Sequence, residues 1–229
     1  MKRFISALAG VFFLIGILFL FIDVLSFDRS FYAREYRKLG TAEDIGISRE
    51  DLDSATETLL DYLKDERDDL VVHADFESGG VREVYNDREK AHMVDVKALY
   101  QTGRKAVYAA LGVSAVLLLI LLISSGKEKK LPVIKGYIDS NLILLIMITL
   151  LGGYAVLDFN SFWTGFHHIF FTNDLWLLDP RTSVLINMVP EQFFFDLVTR
   201  IAVSFAITAA VLLLIAQTAK KRIKDRYDV

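Results

Sequence analysis

The sequence predicts a membrane α fold. It reads as a four-transmembrane-helix bundle with a small mixed α+β extracellular cap between helices 1 and 2. Three observations carry this reading. Mean hydropathy is +0.38 although 24% of the 229 residues are charged, so the charge must be segregated from the apolar residues. Four uncharged runs concentrate the apolar half of the chain. Basic and acidic residues also fall on alternate sides of those runs.

The runs are Phe4–Ile22, Ala106–Ile123, Leu142–Leu157 and Ile201–Ala216. A hydrocarbon core of about 30 Å takes about 20 helical residues, with a range of about 17–25. The first two runs are long enough alone, and the last two once uncharged flanks are included. The first run follows Lys2 and Arg3, as a signal peptide would. Its length exceeds an ordinary signal core and no small-x-small site follows it, so it reads as an uncleaved helix. The expected organisation is helix 1 at 1–26, cap at 27–101, helix 2 at 102–124, cytoplasmic loop at 125–140 and helix 3 at 141–158. An aromatic-rich extracellular loop at 159–196, helix 4 at 197–219 and a cytoplasmic tail at 220–229 complete it.

Orientation follows from basic residues near the span ends. One set of flanks carries Lys2, Arg3, Lys127, Lys129, Lys130, Lys135, Lys220, Lys221, Arg222, Lys224 and Arg226, against Glu128, Asp139, Asp225 and Asp228. On the other side, residues 27–101 have a net charge of −8 and residues 158–200 a net charge of −3. Both termini are therefore expected in the cytoplasm.

The cap is patterned. Ser48-Arg49-Glu50-Asp51 reads as a capping box, followed by Leu52, Ala55, Leu59, Leu60 and Leu63 at helical spacing. Leu70 to Phe76 alternates, Glu77-Ser78-Gly79-Gly80 supplies turn residues, and Val81 to Tyr85 completes a hairpin. Asn86 or Asp87 then caps a helix with no breaker before Gly103, able to run on into the second span.

Composition excludes several chemistries. There is no cysteine, hence no disulfide, thiolate metal site or cysteine nucleophile. The net charge of −3 argues against a nucleic-acid partner. No G-x-S-x-G elbow points to a hydrolase serine.

Histidine is left as the residue able to move protons near neutral pH. His73 lies mid-strand on the polar side and reads as solvated. His92 shares a helix face with Asp95, Val96 and Leu99, and Asp95 is placed to orient it or raise its pKa. His167 and His168 sit in a stretch holding Phe159, Phe162, Trp163, Phe166, Phe170, Phe171 and Trp176, together with Asn173. Neighbouring side chains diverge on a helix, so one of the two histidines is expected to face a site. An aromatic chamber with a few polar groups suits a lipid-handling pocket. No His-Glu-x-x-His or second ligand cluster supports a metal, and no cofactor is indicated. Topology puts His92 before the second span and His167 after the third, on one side. Two alternatives stay open: a membrane hydrolase or metalloenzyme using the adjacent histidines, and a non-catalytic membrane protein whose acidic cap binds a partner. Gly152-Gly153 reads as a packing or bending feature of the third span.

Four segments together resemble the bacterial family of integral membrane proteins that contains the lipoprotein intramolecular transacylase. They are Phe166-His167-x-x-Phe170-Phe171, Trp176-x-x-Asp179-Pro180, Pro190-Glu191-x-Phe193-Phe194 and His92-Met93-x-Asp95-Val96. The resemblance covers the whole chain. It implies an acyltransferase acting on diacylated lipoprotein substrates at the outer leaflet, among membrane lipid. The sn-2 acyl chain moves from the glyceryl group to the α-amine of the lipoprotein's N-terminal cysteine, giving the lyso-form. It implies His92 and His167 as the catalytic pair. Oxyanion donors could come from Tyr85, Tyr100, Asn173, Trp176 or backbone N–H groups. Asp28 and Arg29 are plausible supports or interfacial anchors.

Overall fold

A computed structural model describes residues 1–124 and 130–227. Lys127, Glu128, Lys129 and Asp228, used in the charge argument, lie outside the described residues. The chain divides into two compact units, Met1–Val24 with Arg104–Leu157 and Val198–Val229, and Leu25–Gly103 with Asp158–Leu197.

The first unit is built from four long helices: α1 (Lys2–Ser26), the distal part of α5 (Asp87–Ser124), α6 (Lys130–Leu157) and the distal part of α9 (Glu191–Tyr227). All four are long and apolar enough to cross a membrane. Residues 130–140, expected in the cytoplasmic loop, belong to α6, which opens at Lys130. Each helix satisfies its own backbone, as a bilayer requires, and leaves apolar side chains such as Leu122, Leu150, Ile207 and Leu214 on the surface. Leu14, Leu144, Phe205 and Ala209 form the interior.

Small residues set the helix contacts. A Cβ on Gly136 would lie 2.2 Å from the Arg3 carbonyl oxygen, and one on Gly10 2.1 Å from Ser140 Oγ. Hydrogen bonds cross between helices: Ser114 Oγ donates to Ala9 O at 2.9 Å, Ser6 Oγ to Val133 O at 2.6 Å and Asn141 Nδ2 to Ala209 O at 3.1 Å. Such bonds act as glue where no hydrophobic effect separates helix from lipid. Gly152 and Gly153 are different. Among the described residues a Cβ there meets nothing within 4 Å, so their expected packing role is not seen among those residues.

The second unit holds α2 (Arg29–Leu39), α3 (Thr41–Ile45), α4 (Arg49–Leu63), β1 (His73–Phe76), β2 (Gly80–Glu83), the start of α5, α7 (Phe159–Phe170), α8 (Val184–Met188) and the first residues of α9. Ser48 caps α4 by accepting from Asp51 N–H at 3.0 Å. The reciprocal half of the expected box is absent, because the Asp51 carboxylate accepts from Asp75 N–H of β1 instead. The hairpin is antiparallel, with His73 opposite Glu83 and Phe76 opposite Gly80. Leu70, Ala74 and Phe76 are buried and His73 is exposed, as the alternation predicts. The turn uses Gly80 at φ +69°, a conformation that favours glycine.

The core of this unit is aromatic. Phe31, Tyr32 and Tyr36 of α2 pack their rings on Phe193, at centroid distances of 5.2, 4.9 and 6.1 Å. Lys38 adds ion pairs to Glu35 and Asp196.

Candidate active site

The site begins where α5 begins. Asn86 and Glu89 form a complete capping box. Asn86 Oδ1 accepts from Glu89 N–H at 3.0 Å, and Glu89 Oε2 accepts from Asn86 N–H at 2.6 Å. With both orphan donors satisfied, the first turns are fixed and His92 follows one turn after Glu89. The charged residues of these turns place them ahead of the apolar stretch that starts at Ala106.

The second histidine comes from α7, which Asp158 caps through Ser161 N–H at 2.9 Å. His167 is buried and His168 exposed, so the two neighbours diverge. His167 Nδ1 lies 2.8 Å from Trp163 O. A carbonyl only accepts, so Nδ1 carries the proton and Nε2 is the bare nitrogen.

The two imidazoles meet within the unit, with ring centroids 6.2 Å apart. Aromatic rings surround them. Trp176 stacks on His167 at 4.7 Å, Phe171 lies 5.5 Å from His167 and 5.3 Å from His92, and Phe166 and Trp163 meet the edge of His167 at 5.5 and 5.1 Å. Phe170 packs on Phe166 at 4.8 Å while remaining half exposed.

Both imidazoles are held neutral. Burial pushes His92 down to about 4, and the positive charge that His167 can carry acts the same way. Asp95 opposes these effects, and Arg88 adds a smaller downward push. Burial also lowers His167, partly offset by its bond to the Trp163 carbonyl. Buried imidazoles lose the charged form because the low dielectric disfavours it. His92 Nδ1 is buried with no hydrogen-bond partner among the described residues. The expectation that Asp95 orients the imidazole is thus not met at Nδ1. Asp95 accepts from Asn173 Nδ2 at 2.8 Å instead.

The remaining sequence candidates lie elsewhere. Tyr85 is fully buried and donates to Ala55 O at 2.8 Å, so its hydroxyl is committed to the core. Asp28 caps α2 through Ser30 N–H at 3.1 Å, and Arg29 pairs with Asp61 at 3.2 Å. Tyr100 packs on Phe27 at 4.9 Å. Phe27, Asp28, Arg29 and Asp61 line a separate open cleft of about 400 Å³.

Two residues that sequence reasoning missed shape the site. Arg88 donates to the carbonyls of Asp174 and Leu177, the latter at 3.3 Å, and so holds the segment carrying Trp176. Glu89 reaches Ser183 and Leu185. The spacing Asn86-x-x-Glu89 was a local signal for the cap. Among the described residues, no group of three His, Cys, Asp or Glu side chains is arranged to hold a metal.

Comparison with known proteins gives the family and the fold. The model of the family described as lipoprotein intramolecular transacylase Lit matches residues 7–194. The structure of the membrane-integral lipoprotein intramolecular transacylase Lit from Bacillus cereus is 18% identical. The match covers 100% of this chain and 98% of that chain, with a TM-score of 0.75. Two structures of the same Bacillus cereus protein, one with a histidine-to-arginine and one with a histidine-to-alanine mutation, are also 18% identical over 100% of this chain. They are covered to 94% and 96%, with TM-scores of 0.69 and 0.70. At that identity the likeness is one of fold. No curated protein matches the chain.

Proposed function

The chain belongs to the lipoprotein intramolecular transacylase family, and from that premise we propose that it moves the sn-2 O-acyl chain of a diacylated lipoprotein to the α-amine of the N-terminal cysteine. The observation that carries this reading is the pair of buried, neutral histidines, 6.2 Å apart inside a box of aromatic rings.

The chemistry asks for little else. The amine nitrogen bonds to the ester carbonyl carbon, the carbon–oxygen ester bond breaks, and one proton passes from nitrogen to the departing glyceryl oxygen. A free α-amine has a pKa of about 7.7–8.0, and an apolar chamber admits its neutral, nucleophilic form. On attack the nitrogen becomes a strong acid. His167 Nε2, left bare by the Trp163 bond, is suited to take that proton. The imidazolium so formed is the acid that returns the proton to the leaving oxygen, directly or through His92. The neutral ring of His92 takes one proton as it gives another, so neither histidine ends charged. Proton transfer by positioned groups is worth about 10²–10⁴-fold. Both reacting groups belong to one substrate molecule, so confining it in a cyclic near-attack geometry adds a large proximity factor. Phe166, Phe170, Phe171 and Trp176 supply apolar walls for the acyl chains. Burial of both imidazoles among these rings would also limit the water that could hydrolyse the ester.

The distribution of basic residues supports both termini in the cytoplasm and the histidines on the extracellular side of the cell membrane. The diacylated lipoproteins and membrane lipid are the partners this requires, with no nucleic acid and no cofactor.

Expression in a host that makes diacylated lipoproteins tests the reading. Mass spectrometry of a lipoprotein N-terminal peptide should show one acyl chain moved from oxygen to nitrogen. An unchanged diacylglyceryl peptide in the presence of inserted, folded protein would overturn it.

A further inference from the structure

We propose that Glu89 is a positioning residue, one that sets the relation between the two histidines by fastening the first turn of α5 to the segment whose Trp176 stacks on His167. The proposal rests on the reading of His92 and His167 as the catalytic pair.

Glu89 is wholly buried, and both of its oxygens are used. Oε2 accepts from Asn86 N–H at 2.6 Å, within its own helix start. Oε1 accepts from Ser183 Oγ at 2.6 Å and from Leu185 N–H at 2.6 Å. Three donors face the group, and its two oxygens accept all three.

A capping acid ordinarily needs only the first of these bonds. The other two reach across the sequence to the start of α8. There Ser183 also accepts from Ile186 N–H at 3.3 Å, so the hydroxyl that Glu89 orients is itself the cap of α8. Neighbours on the same turn complete the grip. Asn86 Nδ2 donates to Thr182 O at 3.2 Å, and Arg88 holds the carbonyls of Asp174 and Leu177. Residues 86–89 thus hold both ends of the segment 174–185, with Trp176 between them, 4.7 Å from the His167 ring. His92 lies one turn further along the helix that does the holding. Glu89 joins the two helix starts through a single buried side chain, bonded at both the α5 cap and the α8 cap.

Glutamine at this position sets an amide donor against at least one of the three donors. Ser183→Ala removes one bond and leaves the fold a milder variant. The matched control is Tyr36→Phe, which removes a hydrogen bond to Thr56 in the aromatic core without touching the segment 174–185.

The experiment uses the full chain in phospholipid vesicles with a synthetic diacylated lipopeptide. It compares E89Q, S183A and Y36F for kcat, KM, unfolding temperature and the NMR titration of the histidine ring protons. For E89Q and S183A, kcat should fall about 10–100-fold, the scale expected for ångström-level misplacement, with KM within about twofold. The His92 titration should move up toward an ordinary imidazole as water enters beside His167, Asp95 and Arg88. Y36F should move neither quantity at an equal loss of unfolding temperature. Unchanged turnover and titration in folded E89Q and S183A, or equal effects in Y36F, would overturn the proposal. Should E89Q fail to fold, S183A decides. The titration needs no substrate, so it tests the positioning role even where wild-type protein yields no lyso-form product, an outcome that would count against the function instead.

Discussion

The Nδ1 of His167 lies 2.8 Å from the carbonyl oxygen of Trp163, one helical turn back in α7. That carbonyl already belongs to the helix, so the bond costs no buried polar group, and it locks the imidazole tautomer. The stacked Trp176 ring holds the plane of the imidazole on another side. The proton-accepting role proposed for His167 needs its bare nitrogen aimed before substrate arrives, and these two contacts would supply the aim.

Replacing His92 or His167 with alanine should lower kcat by about 10²–10⁴-fold with the protein still folded and inserted. Asparagine at position 167 is the sharper test. Its side-chain amide keeps a donor for Trp163 O but has no second ring nitrogen. H167N should therefore be as inactive as H167A while unfolding at the wild-type temperature. Appreciable activity in H167N would show that the Nδ1 bond, not Nε2, is what the reaction uses.

Activity should persist well below the usual histidine range. His92 is pushed down to about 4 and His167 is also lowered, so the neutral, proton-accepting form is present at neutral pH. The acid limb of kcat, measured at saturating lipopeptide, should fall below pH 6.5, whereas kcat/KM also carries the titration of the free substrate amine at about 7.7–8.0. Stability follows the same groups. Unfolded imidazoles take up protons near pH 6.5, before the folded ones do. Their neutral burial is thus fully tolerated above that pH, and stability falls as pH drops from about 6.5 to about 4. Tenfold in proton affinity is worth about 1.4 kcal/mol, so the lowering of His92, discounted for its partial contact with solvent, makes the loss on the order of 1–3 kcal/mol. Urea titrations at pH 7.5 and 4.5, compared with H92A, measure it. The variant should lose less stability on acidification.

Trp176 acts on His167 through its ring. An aromatic pair contributes about 0.5–1.5 kcal/mol beyond burial, which corresponds to about 2–10-fold. W176F, which keeps a ring, should stay within about threefold of wild type. W176A should lose about tenfold or more in kcat. A large loss in W176F would instead assign a role to the indole N–H, which phenylalanine lacks. Steady-state kinetics with a lipopeptide decides between them.

The four long helices were legible because a run of uncharged residues is a one-dimensional signal. So was the set Leu52, Ala55, Leu59 and Leu60, all buried in α4, and the alternation through Leu70, Ala74 and Phe76. What escaped was short or non-local. α2 and α8 are 11 and 5 residues long, too short for a periodic pattern to stand out from aromatic or apolar surroundings. The box at Ser48 was half right, since Asp51 is drawn to Asp75 N–H of β1, a partner 24 residues away. The box at Asn86 was readable, but the reach of Glu89 to Ser183, 94 residues on, was not. Asp95 and Asn173 were both named as site candidates. Only the fold shows that they bond to each other, and that Tyr85 belongs to the core.

The glycines of the spanning unit give a stability prediction with opposite outcomes at two sites. On Gly136 a methyl group would meet backbone, the Arg3 carbonyl oxygen at 2.2 Å and Ala7 N at 2.9 Å. Backbone atoms of a packed helix cannot turn away as a side chain would, so α1 and α6 must separate. Overpacking of this kind costs about 1–3 kcal/mol, and the displaced helix would also strain the bond from Ser6 Oγ to Val133 O. On Gly152 the methyl group meets nothing within 4 Å among the described residues, while alanine favours the helix by about 1 kcal/mol over glycine. Thermal unfolding in detergent should show G136A well below wild type and G152A equal to it or above. Equal loss in both would mean that Gly152 is packed against something other than this chain, such as a second copy or the substrate, and would restore the packing role its sequence position suggests.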